Sequence, residues 1–348
     1  MVVRPAYGVA VVGALALGMV AAPGAPPSVA AAAATCEIEG VERIVAVGDV
    51  HGAYEQLVQI LRAAGVIDER LRWSGGRTHL VQLGDVVDRG ADARKALDLL
   101  RRLEKEARRT RGAVHALIGN HEAMRMLGDL RYVSPGEYAA FATSRSEETR
   151  EILLQRAGPE ARDQLRKETP LGLAEMSVAF GPEGEYGKWL RDLRAVVKIN
   201  GILFLHGGIS PAVAALPCGA INAAVQRELT TDLAQTRAAP MGSLVTREDG
   251  PLWYRGLAQE SVAFAPQVDA ILAQQGARVI VIAHTVAPGG RILGRFGGKV
   301  WQIDTGMQPA YVPTGRASAL DIQGGTFTAI YPDRREVLED GPAAPPSR

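Results

Sequence analysis

The chain is poor in cysteine, in aromatic residues and in net charge, and each shortage narrows what it can do. Its 348 residues include two cysteines, Cys36 and Cys218. Two isolated thiols make no four-ligand zinc site. They could pair in an oxidising compartment, and the sequence leaves open whether they meet. Aromatic residues make up 5% of the chain, thin support for a base-stacking pocket, although Trp253, Tyr254 and Trp301 are present. Lys plus Arg number 39 against 38 Asp plus Glu. The positive excess on which general nucleic-acid binding leans is therefore missing. Long apolar runs are missing too: beyond residue 35 no segment approaches the roughly 20 apolar residues of a membrane span. What remains is ordinary globular composition, 47% hydrophobic and 22% charged.

The first 35 residues stand apart. Arg4 precedes an uncharged apolar run from Gly8 to Ala22, then a Pro/Ala-rich stretch with small residues at Ser28-Val29-Ala30 and Ala32-Ala33-Ala34. This pattern predicts a signal peptide over residues 1–35 that is cleaved on export to the periplasm or medium, with no stable membrane insertion of the mature chain. A membrane anchor is the competing reading. A single catalytic domain is expected over 36–338, with a disordered Pro/Ala-rich tail over 339–348.

Within the domain, short apolar runs each stop at a glycine. Ile44–Val47 ends at Gly48, Leu80–Leu83 at Gly84, and Ala113–Ile118 at Gly119. Between them lie helical patterns, Ala53–Ala64 (Leu57, Ile60, Leu61, Ala64) and Ala91–Arg109 (Ala96, Leu99, Leu100, Leu103). The alternation predicts a parallel sheet with right-handed crossovers, and ligands gather at the carboxyl ends of such strands. Residues 124–195 read as a helical insertion, either a wall over the site or a solvated excursion. Strands return from Val196, with Ile202–Leu205 leading into His206, Arg278–Ala283 into His284 and Val300–Ile303 into Asp304. A second sheet packed on the first is expected.

The strand ends carry the chemistry. Gly-Asp-Val-His-Gly spans 48–52, Gly-Asp-Val-Val-Asp-Arg-Gly 84–90, Gly-Asn-His-Glu 119–122 and His-Gly-Gly 206–208. Asp49 and His51 would share one side of an extended segment. Asp85 can bridge two cations with its two oxygens, Asn120 offers a neutral amide oxygen, and His206 and His284 add imidazoles. The sum is a three-ligand site (Asp49, His51, Asp85) beside a four-ligand site (Asp85, Asn120, His206, His284). Such a pair suits chemistry on a phosphate ester. Mixed nitrogen and oxygen donors fit manganese, iron or zinc alike. His79 and His115 are read as structural, Glu122 as a brace, and Asp304 as either a support for a ligand or a turn residue.

These motifs, in this order, resemble the calcineurin-like metallophosphoesterases. The Gly-Asp-x-x-Asp-Arg-Gly form is similar to the phosphoprotein phosphatase branch. Leu252-Trp253-Tyr254-Arg255 and Ile303-Asp304-Thr305-Gly306-Met307 resemble the bacterial Shewanella-like phosphatases. The resemblance implies an α/β fold: a two-sheet β-sandwich core flanked by helices. It implies a dinuclear-metal-dependent phosphomonoester hydrolase, with a hydroxide bridging the ions as nucleophile. His121 would be the general acid with Asp88 as its carboxylate partner; a plain Asp88–Arg89 ion pair is the alternative. Arg89 would bind phosphate, and Arg255 is a second candidate for that role. A phosphorylated protein or peptide is the expected substrate, with a small phosphoester or nucleotide as the alternative and no nucleic-acid partner. A catalytically silent binding module should have lost a ligand or the His–Asp pair, and none is missing. Ile118 stands where the eukaryotic Ser/Thr enzymes carry Arg, and Trp-Tyr-Arg replaces their Trp-Ser-Asp. Both departures weigh against strict Ser/Thr specificity.

Overall fold

The computed structural model describes residues 36–155 and 157–338. The expected leader and tail lie outside the described residues. Two six-stranded sheets face each other. The first runs β12 (Arg335–Leu338), β11 (Thr326–Ile330), β10 (Ala319–Gln323), β2 (Arg43–Val47), β3 (His79–Gln82), β4 (Ala113–Ala116). The second runs β1 (Glu37–Ile38), β5 (Val196–Ile199), β6 (Ile202–Leu205), β7 (Val279–Ile282), β9 (Val300–Gln302), β8 (Leu293–Arg295). The expected two-sheet sandwich is present.

Strand alternation explains the layering. Ile44 and Ala46 of β2 point between the sheets, where they meet Val81, Phe204, Val281 and Trp301. Val45 and Val47 point outward onto helices. Both faces are buried, so these strands read as unbroken apolar runs. Helices α1 (Tyr54–Ala63) and α2 (Ala93–Arg108) cover the outer face with Leu57, Ile60 and Leu61 and with Ala96, Leu97 and Leu100. Helix α3 (Asn120–Leu127) begins at the third motif. Beyond it come α4 (Pro135–Ala139), α5 (Ser146–Leu154), α6 (Pro159–Glu168), α7 (Leu173–Phe180) and α8 (Glu185–Asp192). Among the described residues no helix is long and apolar enough to cross a membrane.

β2, β3 and β4 are parallel, with Val47 opposite Gln82 and Gln82 opposite Ala116. Their carboxyl ends therefore finish level, and the loops carrying Asp49, Asp85 and Asn120 emerge side by side. In the second sheet β6, β7 and β9 are also parallel, with Phe204 opposite Val281 and Ile282 opposite Gln302. That register sets His206, His284 and Asp304 against the first three loops.

Cys36 and Cys218 are joined, with Cα atoms 6.0 Å apart across 182 residues of sequence. The bond ties the start of β1 to α9 (Cys218–Leu229). Closing so long a loop restricts the unfolded chain strongly. Replacing both cysteines by serine is expected to cost about 2–5 kcal/mol, read as a lower urea midpoint; reductant should lower the wild-type midpoint to match.

Candidate active site

Gly84 lets the two central loops touch. Its φ is +91°, and a Cβ there would sit 2.5 Å from the Gly119 nitrogen. Glu122 then stitches the loops together, accepting the backbone N–H groups of Asp85 (2.9 Å), Val86 (2.8 Å), Val87 (3.2 Å) and Gly119 (2.9 Å). It is a brace, as read from the sequence. The first loop docks on the second because Val50 and His51 both donate to the Asp85 carbonyl at 2.9 Å.

Asp49 and His51 are not aligned by strand alternation. His51 has φ +48°, so the chain has already left extended geometry. Asp85 (φ +55°), Asp88 (+70°), Arg89 (+67°) and His284 (+65°) share this left-handed backbone. Non-glycine residues adopt it at a cost of roughly 1–3 kcal/mol each, and such strain gathers at functional sites.

The structure brings together all six residues expected to bind metal, and all are buried. Asp85 Oδ2 is the hub: His206 Nε2 lies 3.2 Å from it, His51 Nε2 3.7 Å and His121 Nε2 3.8 Å. His51 Nε2 is also 3.7 Å from Asp49 Oδ2. Two clusters have donor atoms within 4.8 Å of one another, His51–Asp85–His121 and Asp85–His206–His284, with Asp85 in both. His121 is thus itself part of the first cluster, a closeness that the motifs do not signal.

The donor set fits cations. His206 Nδ1 donates to the Leu83 carbonyl at 2.7 Å, which turns Nε2 toward the site. Nε2 lies 2.9 Å from Asn120 Oδ1 and 3.2 Å from Asp85 Oδ2. A ring nitrogen, an amide oxygen and a carboxylate oxygen converging this closely make a donor set suited to a cation. His51 is arranged alike, Nδ1 donating to the Val87 carbonyl at 3.0 Å. His284 Nε2 is buried with no hydrogen-bond partner among the described residues. Burial pushes His51 down to about 4 and His284 to about 2, which keeps both imidazoles in the neutral, ligating form. Burial, Asp304 and Asp85 push the Asp49 carboxyl upward. Asp304 is raised to about 6, mainly by burial. Two divalent ions would balance the carboxylates of Asp49, Asp85 and Asp304 gathered in this pocket.

His121 Nδ1 lies 2.6 Å from Asp88 Oδ2. Burial opposes the imidazolium, but Asp85 and Asp88 outweigh it and raise His121 above its ordinary range. The Asp88–Arg89 ion pair does not form. The other Asp88 oxygen accepts from Arg125 instead. Arg89 turns to the opening, its guanidinium 3.6 Å from the Tyr311 ring centre and 4.9 Å from that of Tyr132. Arg255 lines the same cavity and donates to the His284 carbonyl at 3.0 Å. The cavity holds about 80 Å³ and its rim includes Tyr132, Trp253 and Tyr311. Larger clefts exist, one of about 470 Å³ beside His115 and Trp189, but among the described residues no ligating cluster converges there.

Tyr132, Tyr311 and Arg125 escaped sequence reasoning. Tyr311 approaches from the loop after β9 and Tyr132 from the segment after α3, and no motif marks either. Arg125 lies one helical turn beyond His121, and that spacing was its only signal.

The family model of the calcineurin-like phosphoesterases matches residues 42–288. An uncharacterised protein of Schizosaccharomyces pombe is 33% identical over 293 residues, covering 82% of this chain and 79% of its own. The Shewanella-like protein phosphatase 2 of Arabidopsis thaliana is 29% identical, over 77% of this chain and 72% of its own. The crystal structure of a cold-active protein-tyrosine phosphatase from a psychrophilic Shewanella superposes with a TM-score of 0.69 at 29% identity, over 87% of this chain and 82% of that one. With His206, His284 and the three glycine-bounded motifs converging on Asp85, the chain belongs to the calcineurin-like phosphoesterases and is a metal-dependent phosphoester hydrolase.

Proposed function

We propose that the chain is an exported phosphatase acting on phosphorylated proteins or peptides. The single observation that carries the hydrolytic reading is Asp85, shared by two His/Asp clusters, with the His121–Asp88 pair beside it. Asp49, His51 and Asp85 would hold one ion, and Asp85, Asn120, His206 and His284 the other. When bound, two divalent ions supply Lewis-acid polarisation of phosphoryl oxygens and acidify water. Manganese, iron and zinc all suit these donors.

The protein's own side chains do the rest. Asp88 accepts from His121 Nδ1 and fixes the ring, so Nε2 holds the proton that the departing ester oxygen needs. Arg89 has no carboxylate partner among the described residues, and its stacked guanidinium is free to grip two phosphoryl oxygens. Arg255 widens the positive rim. Strained backbone at His51, Asp85 and His284 aims these groups before substrate arrives.

The Shewanella-like protein phosphatase and protein-tyrosine phosphatase relatives support a phosphoprotein substrate. The small cavity supports it too, since it suits a phosphoryl group presented on a protruding side chain. The joined cysteines support an oxidising compartment, in keeping with the leader expected over 1–35. The test is a substrate panel: phosphopeptides should be turned over in preference to nucleotides and dinucleoside polyphosphates, and the reverse order would reject the protein-phosphatase assignment. Arg89→Lys keeps the charge but loses the fork. Its kcat/KM should fall roughly 10- to 100-fold, the worth of about 1.5–3 kcal/mol for hydrogen bonds to a charged group, with metal content unchanged.

A further inference from the structure

The His121–Asp88 pair continues inward. Arg125, four residues after His121 on α3, is buried with 1% of its side chain exposed, as is Asp88. Its Nη2 donates to Asp88 Oδ1 and, at 2.8 Å, to Glu137 Oε1. Glu137 belongs to α4 and its side chain is 0% exposed. Nη1 lies 3.4 Å from Met176 Sδ, and the guanidinium stacks 4.8 Å from the Phe180 ring, both on α7. A continuous chain of contacts thus runs from His121 through Asp88 and Arg125 to two helices outside the sheets.

Packing alone gives no reason for this. Buried ion clusters contribute little net stability, because desolvation offsets attraction. This one is also incompletely satisfied: Arg125 Nε and Glu137 Oε2 are buried with no partner among the described residues, which adds to the cost. Its clear geometric effect falls on Asp88. With Oδ1 on Arg125 and Oδ2 on His121, neither oxygen is idle and the carboxylate plane cannot turn. A freely rotating carboxylate would let the imidazole swing away from the leaving oxygen.

We propose that Arg125 and Glu137 are positioning residues for proton donation by His121: Glu137 anchors Arg125, Arg125 locks the Asp88 carboxylate, and Asp88 aims the imidazole. Helices α4 and α7 thereby take part in the reaction without touching substrate. The inference rests on the reading of His121 as the proton donor.

Leaving groups of different acidity test it, because p-nitrophenolate departs with little help whereas an alkoxide must be protonated. Arg125→Met and Glu137→Met are assayed on p-nitrophenyl phosphate and on a phosphoserine peptide, beside His121→Asn, with thermal melts of all. Both variants should lose about 10- to 100-fold in kcat on the alkyl ester and under about threefold on the aryl ester, with KM unchanged. Glu137→Gln keeps an acceptor for Arg125 and should restore the alkyl ester rate. If Arg125→Met does not fold, Glu137→Met decides, since Arg125 there keeps Asp88 as counter-ion. Equal losses on both esters, or a lower melting temperature with unchanged kinetics, would overturn the positioning role while a steep His121→Asn response left the donor reading standing. A flat response of His121→Asn itself would remove the donor reading, and this inference with it.

Discussion

Asp85→Asn is expected to empty the metal centre while leaving the fold standing. The asparagine keeps an oxygen to accept the His121 backbone N–H, now 2.9 Å from Asp85 Oδ1. It keeps the main-chain groups that hold Val50, His51 and Glu122. It loses the charge that serves both clusters. Transition-state stabilisation of several kcal/mol goes with the ions, on the order of 10³ in kcat/KM. Metal-free stability should also fall, because burial is outweighed by His206, His121 and His51, which hold the Asp85 carboxyl well below its usual range, so the anion they favour is lost. Two thermal melts check this. Wild type should gain melting temperature on adding manganese or zinc, by mass action on the native state; Asp85→Asn should gain little. An equal gain in both would place the ions elsewhere.

His121→Asn is expected to do the opposite: metal content stays, and turnover falls by roughly 10²–10⁴. The imidazole lies 3.8 Å from the Asp85 hub and its ring meets that of His51 at 4.6 Å between centres. A ligand role is thus the competing assignment. Metal analysis separates the two. If His121 held an ion, occupancy would drop with activity; if it carries the proton, two ions per chain remain in a slow enzyme. Full activity would refute both.

The sequence made the frame legible because the physics there is local. Apolar runs such as Leu80–Leu83 and Ile202–Leu205 end at charged or imidazole residues flanked by glycine, and a parallel register brings such ends together whatever the loops do. The two helices after the first two motifs show their buried stripe at helical spacing, and the structure buries those same leucines. What stayed hidden depends on distance. Asp88 has two arginines nearby in sequence or space, and it bonds to Arg125, 37 residues away, rather than to adjacent Arg89. The left-handed turn at Asp88 and Arg89 sends the two side chains apart, and no pattern of residue types predicts that. Tyr311 follows the same logic, since its ring reaches Arg89 from a loop of the far half of the chain. Nothing in the sequence marks the edge strand Arg335–Leu338, where two charged residues followed by two apolar ones make a short, half-exposed segment with no glycine boundary. Cys36 and Cys218 meet only because β1 pairs with β5, a long-range contact that residue types do not signal.

The central claim is that Asp85 lies between two ions. Crystals of the protein grown with manganese, measured for anomalous scattering, address it directly. The account predicts two peaks about 3.5–4 Å apart, both beside the Asp85 carboxylate, one facing Asp49 and His51 and the other facing Asn120, His206 and His284. A single peak, or two peaks that leave Asp85 uncoordinated, would contradict it.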